Sequence, residues 1–315
     1  MLSGYIVLAG VIAFLGVLTA ILTITVMAIA LLRPPRMTDG KAVWVLRRMS
    51  PGDLGLSFEE VHFNVRDEQN GQMLKIAGWW IPSAEAGGNC VVLLHGYADA
   101  KVGAIAWAPL WNAMHYNVLA IDLRAHGESG GIYSTAGFWE RHDLCQLLDQ
   151  LRAERPADTR RLVLFGVSLG TATAIATGAL RDDLSALVLE SPPADFSAAA
   201  MSHMDRLGAP GRFFQRMALL LAERIAHCRL ADVRPVELLP RVHCPVLIIS
   251  PDDDPMVSQA ERTAMREALE SRHRPGADGY WSVNTRHMLA LHADPTEYDR
   301  RLGDFLNTVQ EQKPK

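Results

Sequence analysis

The stretch Leu162-Val163-Leu164-Phe165-Gly166-Val167-Ser168-Leu169-Gly170-Thr171-Ala172-Thr173-Ala174-Ile175 decides the fold. An apolar run leads into Gly-x-Ser-x-Gly, and a helix-like segment of mostly small residues follows as far as Leu180. The pattern predicts a strand, a tight turn and a helix, with Ser168 exposed at the corner. Side chains two positions either side of that serine would collide with neighbouring backbone, and glycine removes the collision. Small residues at 171–174 let the helix press close to the strands. Ser168 also falls at a helix N-terminus, where partial positive charge favours a developing oxyanion. A glycine-flanked turn with a capping serine has the same letters. That simpler account leaves the sites below unexplained.

Either side of this elbow the chain alternates between short apolar runs and helix-like segments. Val61 to Val65 alternates apolar and polar residues, and Leu74 to Ile81 is its expected hairpin partner. Buried strands are expected at Cys90–Leu94, Asn117–Ile121, Arg161–Phe165, Ala186–Leu189 and Pro245–Ile249, with Tyr280–Val283 as a further one. Helices are expected near 103–114, 138–154, 169–181, 258–271 and 295–310. Such alternation predicts an α/β architecture, a mostly parallel sheet with helices on both faces. The apolar insertion at about 195–238 breaks the rhythm and reads as a small lid over the sheet's C-terminal edge.

A serine hydroxyl needs a base, and the base needs an orienting carboxylate. Pro245–Ile249 is followed by Ser250-Pro251-Asp252-Asp253-Asp254-Pro255, a carboxylate cluster at a strand end. Asp254 is the preferred acid because it leads into the Pro-Met-Val turn; Asp252 and Asp253 are the alternatives. His287, in the loop after the last strand, is the expected base, with His292 as competitor. The oxyanion would meet the backbone N–H groups of Tyr97, in the His95-Gly96-Tyr97 loop, and of Leu169. His95 reads as a brace for that loop. In Asp122-Leu123-Arg124-Ala125-His126-Gly127-Glu128-Ser129-Gly130, Asp122 and Arg124 are expected to form an internal ion pair. No spacing rule supports a metal role for His126 and Glu128, and no cofactor is called for.

The order of His95-Gly96, Asp122 to Gly130, Gly166 to Gly170, Pro245 to Asp254 and His287 resembles that of the α/β-hydrolase superfamily. Over about residues 58 to 310 the chain is similar to its membrane-anchored serine hydrolases, the monoacylglycerol-lipase-like and serine-aminopeptidase-like members. The resemblance implies a Ser168–His287–Asp254 triad and an acyl-enzyme mechanism. Ser250-Pro251 stands where members often carry His-Gly, so the choice among the three aspartates stays open. The insertion matches no subfamily pattern, and substrate is not inherited with the fold.

The first thirty residues differ in kind. From Leu2 to Leu32 there is no charged residue. As a helix, a run of about 30 residues spans roughly 45 Å, against about 30 Å of bilayer hydrocarbon. A single transmembrane anchor at 1–33 is therefore expected, then a juxtamembrane linker at 34–56, the catalytic domain at 57–310 and a tail at 311–315. A cleaved signal peptide is the alternative, with Ala28-Ile29-Ala30 resembling a cleavage site. Arg33, Arg36, Lys41, Arg47 and Arg48 follow the span, and the positive-inside rule then puts the domain in the cytoplasm.

With 31 basic against 35 acidic residues the chain has no basic footprint for nucleic acid. Cys90, Cys145, Cys228 and Cys244 lack metal-finger spacing and read mostly as small buried hydrophobes. The leading expectation is hydrolysis of a carboxylic ester or thioester, of a small-molecule or lipid-like acyl substrate. The alternatives are an aminopeptidase-like serine peptidase, with Glu190 or Glu128 receiving a substrate amino terminus, and a catalytically silent membrane-tethered binding module.

Overall fold

The computed structural model describes residues 2–206, 208–209, 211–274 and 277–311. The tail expected beyond Glu311 lies outside them, as does the side chain of His203. Among the described residues eight strands form one sheet: β1 (Glu59–Arg66), β2 (Met73–Ile81), β3 (Asn89–Leu94), β4 (Asn117–Ile121), β5 (Arg161–Val167), β6 (Ala186–Glu190), β7 (Val246–Pro251) and β8 (Gly279–Val283). Their spatial order is β1-β2-β4-β3-β5-β6-β7-β8. β2 pairs antiparallel with β1 and with β4, and the pairs from β4 through β8 are parallel. The expected hairpin and mostly parallel sheet are borne out.

Twelve α-helices accompany the described strands. In chain order they are α1 (Leu2–Leu32), α2 (Asp39–Leu46), α3 (Lys101–Ala104), α4 (Ala108–Ala113), α5 (Glu140–Glu154) and α6 (Leu169–Gly178). Then come α7 (Phe196–Arg206), α8 (Arg212–Ala226), α9 (Pro235–Leu238), α10 (Gln259–Glu270), α11 (Ala290–Ala293) and α12 (Pro295–Glu311). Helices cover both faces, which is why the strands carry continuous apolar runs rather than alternating ones. In β3, Cys90, Val92 and Leu94 pack with Leu144, Leu147, Leu148 and Leu151 of α5 on one side. Val91 and Leu93 pack with Trp111 and with Tyr298, Leu302 and Phe305 of α12 on the other. The α5 leucines recur at i, i+3, i+4 and i+7, one face of a helix.

Two expectations change. The helix read at 103–114 is broken into α3, a 3₁₀ turn at Ile105–Trp107 and α4. Pro109 explains the break, since it has no N–H to give the carbonyl one turn back. Residues 34–56 are not a bare linker. They contain α2 and a 3₁₀ turn at Pro51–Leu54, and Ala42, Leu46, Leu54 and Leu56 pack into the core beside Trp79. Arg48 donates to the carbonyls of Val102 and Gly103, tying this segment to α3.

The insertion holds α7 and α8. The N-terminal apolar helix α1 does not stand clear of the domain. Its C-terminal part packs against α8, with Ile24, Met27, Ala28 and Leu32 meeting Ala218, Ala222 and Ala226.

Candidate active site

Ser168 ends the β5-to-α6 turn with φ 51° and ψ −116°, a conformation that L-residues avoid. Such strain costs about 1–3 kcal/mol and persists only where the surroundings enforce it. Here the Ser168 N–H donates to the Glu190 carbonyl at 3.0 Å, and the Thr171 N–H donates to the Ser168 carbonyl at 3.0 Å. A Cβ on Gly166 would lie 2.5 Å from the Gly170 carbonyl oxygen, and one on Gly170 would lie 2.2 Å from that of Leu94. Glycine at both places is what lets the turn close.

His287 follows β8. Its Nε2 is 2.9 Å from Ser168 Oγ, and its Nδ1 is 2.6 Å from Asp254 Oδ2. With Nδ1–H donating to the carboxylate, the neutral ring presents Nε2 as an acceptor to the hydroxyl. The other oxygen of Asp254 accepts the N–H groups of Met256 at 2.7 Å and Val257 at 3.0 Å. Asp254 is buried, whereas Asp252 and Asp253 are exposed, and Asp252 accepts from Ser282 Oγ. His292, on α11, is exposed and lies outside the pocket. The structure thus brings Ser168, His287 and Asp254 together and leaves the alternatives apart.

The loop carrying His287 is held from β6. Met288 N–H donates to Ser191 Oγ at 3.0 Å, and Ala290 N–H donates to Glu190 Oε1 at 3.2 Å. Glu190 also accepts from Tyr298 Oη at 2.8 Å and Trp107 Nε1 at 3.2 Å. Burial pushes its carboxyl up to about 7, against those hydrogen bonds. Fully enclosed, it has no face for a substrate amino terminus. Glu128 lies against Lys101, so neither carboxylate suggested for that role lines the pocket.

That pocket encloses about 320 Å³ over Ser168 and His287. Gly96, Tyr97 and Leu169 border it, and a Cβ on Gly96 would lie 3.5 Å from the Ser168 Cβ. The walls are mainly apolar, including Phe196, Met256, Met288 and Leu31. Leu31 belongs to α1, so the N-terminal helix forms part of the pocket. The Tyr97 phenol turns the same way and donates to the carbonyls of Ala30 at 2.9 Å and Leu31 at 3.4 Å. Ser134 N–H donates to Leu32 O at 2.8 Å. These are carbonyls of the last helical turn, which have no partner within the helix.

One ionisable pocket residue was missed in the sequence. Asp99, three residues after Gly96, lines the wall and accepts its neighbour Ala100 N–H at 2.8 Å. Burial raises its carboxyl to about 6. A lone aspartate in a loop gives no sequence signal of its own.

The Asp122–Gly130 loop is a brace, wired differently from expectation. Asp122 accepts from Lys101 Nζ at 2.8 Å and from the Lys101 and Glu128 amides. Arg124 forks onto Asp143 and reaches Asp67 at 3.1 Å. The expected Asp122–Arg124 pair does not form, because the two side chains leave the loop toward α3 and α5 respectively. His95 accepts the Leu123 N–H at Nε2, with Nδ1 2.7 Å from Gly96 O, and burial lowers its pKa. His126 faces Arg124 O rather than Glu128. Cys90, Cys228 and Cys244 are buried and Cys145 half-buried, all as free thiols.

Known proteins resemble this chain in the same terms. The sequence model of the family described as serine aminopeptidase, S33, matches residues 87–234. The uncharacterized protein YqkD of Bacillus subtilis is 24% identical over 230 residues, 71% of this chain and 72% of that protein. The lysophosphatidylserine lipase ABHD12 of Mus musculus is 28% identical over 187 residues, 56% of this chain but only 45% of its own length. Among solved structures, the esterase Pf2001 of Pyrococcus furiosus superposes with a TM-score of 0.69 at 23% identity, covering 87% of this chain and 98% of that one. That likeness establishes the fold.

Proposed function

We propose that this chain, which has the α/β-hydrolase fold, is a serine hydrolase cleaving a carboxylic ester or thioester through an acyl-enzyme on Ser168. The supporting observation is the unbroken line of contacts Asp254–His287–Ser168, at 2.6 and 2.9 Å. Ser168 Oγ attacks the acyl carbon while His287 Nε2 takes its proton, and Asp254 holds the resulting imidazolium. The N–H groups of Leu169 and Tyr97 receive the oxyanion. The tetrahedral intermediate expels the alcohol or thiol, which takes the proton from His287. Water, deprotonated by the same nitrogen, then releases the acid and restores the serine.

An apolar pocket of about 320 Å³, walled in part by Leu31 of an uncharged 31-residue helix, favours a lipid-like acyl group. In this reading α1 anchors the protein in a bilayer, with Arg33, Arg36 and Lys41 holding the domain on the cytoplasmic side. Protease added outside intact cells would then leave the domain whole; its digestion would reverse the orientation.

A fluorophosphonate probe applied to the full chain in detergent tests the nucleophile. Labelling is expected, and it is expected to vanish in Ser168→Ala. Equal labelling of the variant rules out Ser168, and absence of labelling in both favours a silent binding module. An aminopeptidase is the second reading, favoured by Asp99, whose carboxylate in the pocket wall would meet a substrate ammonium. Faster cleavage of aminoacyl p-nitroanilides than of p-nitrophenyl esters, lost in Asp99→Asn, would select it.

A further inference from the structure

The insertion helix α8 has two unlike faces. Gln215, Ala218, Ala222 and Ala226 are buried, and the three alanines let α1 approach closely. On the other side Phe213, Met217 and Leu220 are exposed at 68%, 38% and 54%. Their i, i+4, i+7 spacing makes one apolar stripe facing away from the domain. Arg212 and Arg216 are exposed beside it.

The length of α1 says what meets that stripe. Residues 5–19 are exposed, and partial burial begins at Ala20, ahead of Ile24, Met27 and Ala28, which pack with the α8 alanines. From Leu2 to Thr19 the helix rises about 27 Å, close to the roughly 30 Å thickness of bilayer hydrocarbon. If those residues span the bilayer, the part of α1 covered by α8 lies at the boundary between acyl chains and headgroups. An amphipathic helix with arginines beside an apolar stripe is suited to that boundary. Its arginines reach phosphates while the apolar side chains enter the acyl region.

Beside the C-terminal half of α8, Leu31 and Leu32 share a small cavity with Leu219, Ala222 and Phe196. Leu31 and Phe196 also line the pocket over Ser168. The α1–α8 pair and the pocket therefore share a wall.

We propose that α8, running beside α1, reaches with its N-terminal half into the leaflet that α1 enters, with Phe213, Met217 and Leu220 among the acyl chains, and that substrate passes from that leaflet into the Ser168 pocket beside Leu31 and Phe196. The proposal rests on α1 entering the bilayer, and its first test is independent of catalysis. Single cysteines at 213, 217 and 220, in a Cys145→Ser background, are labelled with an environment-sensitive fluorophore in the full chain. The protein is reconstituted in phosphatidylcholine vesicles containing anionic lipid and doxyl-labelled acyl chains. Strong quenching is expected at all three sites and none at Glu270→Cys, an exposed position on α10. Quenching at 213–220 no greater than at 270 overturns the docking. The second test is kinetic. The double variant Phe213→Asp, Leu220→Asp should hydrolyse a long-chain ester in vesicles about tenfold more slowly, with a soluble short-chain ester turned over as before. Equal rates of wild type and variant on the vesicle substrate overturn leaflet entry. A chain that hydrolyses nothing yet shows the quenching would refute the proposed reaction and leave the docking standing.

Discussion

The hydroxyl of Tyr97 donates to the carbonyl of Ala30 at 2.9 Å, joining the loop beside Ser168 to the last turn of the N-terminal apolar helix. Arg36, just past that helix, extends the join by donating to the carbonyls of Gly127 and Ser129, each at 2.7 Å. The helix is thus fastened to the α/β domain at its base and contributes Leu31 to the pocket.

Loss of the fastening should be measurable. Tyr97→Phe is expected to destabilise the protein by about 1 kcal/mol through one lost hydrogen bond. Removal of residues 1–36 should do more, baring Ala218, Ala222 and Leu169 and opening one wall of the pocket. Thermal unfolding and ester hydrolysis in detergent check both; a truncated protein with full stability and rate would contradict them.

Among the carboxylates and histidines, rates should separate those in contact from those apart. Asp254→Asn and His287→Ala are expected to lower kcat by about 10³-fold or more. Asp252→Asn, Asp253→Asn and His292→Ala should stay within a few-fold of wild type, about the scatter of surface changes. Steady-state kinetics on a p-nitrophenyl ester measures all five.

Gly166→Ala and Gly170→Ala test the elbow itself. Each added methyl meets backbone, at 2.5 Å and 2.2 Å, where no side-chain rotation relieves the clash. A loss of about 3–5 kcal/mol in urea unfolding is expected. An unchanged midpoint would mean that the turn is looser than described.

The carboxyl of Asp99 predicts a pH dependence. Burial raises it in the folded protein to about 6, above its unfolded value of 3.8. Protonation therefore favours the fold: the contribution is complete below the unfolded value and disappears as pH rises through about 6. Asp99→Asn should raise stability at pH 8 by about 1–2 kcal/mol, with the gain fading below pH 4. Unfolding at the two pH values decides it; a variant less stable at pH 8 than wild type contradicts the sign.

Much of this was legible because strands buried on both faces need continuous apolar runs, and a tight strand-to-helix turn needs glycines at 166 and 170. Three successive aspartates were harder. What distinguishes Asp254 is that its carboxylate meets the amides of Met256 and Val257 and the ring of His287, and those contacts depend on the path of the turn. The partners of Asp122 and Arg124 were misread because neighbours in sequence leave a loop in opposite directions. Packing of α1 on α8 had no signal either. A uniformly apolar helix gives no sign of which side will meet protein, and the alanines of α8 declare themselves only once that helix is placed.

The central claim is that Ser168 carries the acyl group. Acid-quenching the full chain during turnover of a p-nitrophenyl ester, then mapping peptides by mass, tests it directly. An acyl adduct confined to Ser168 and absent from Ser168→Ala is predicted. Turnover at the wild-type rate in Ser168→Ala, or an acyl adduct on a different residue, would contradict it.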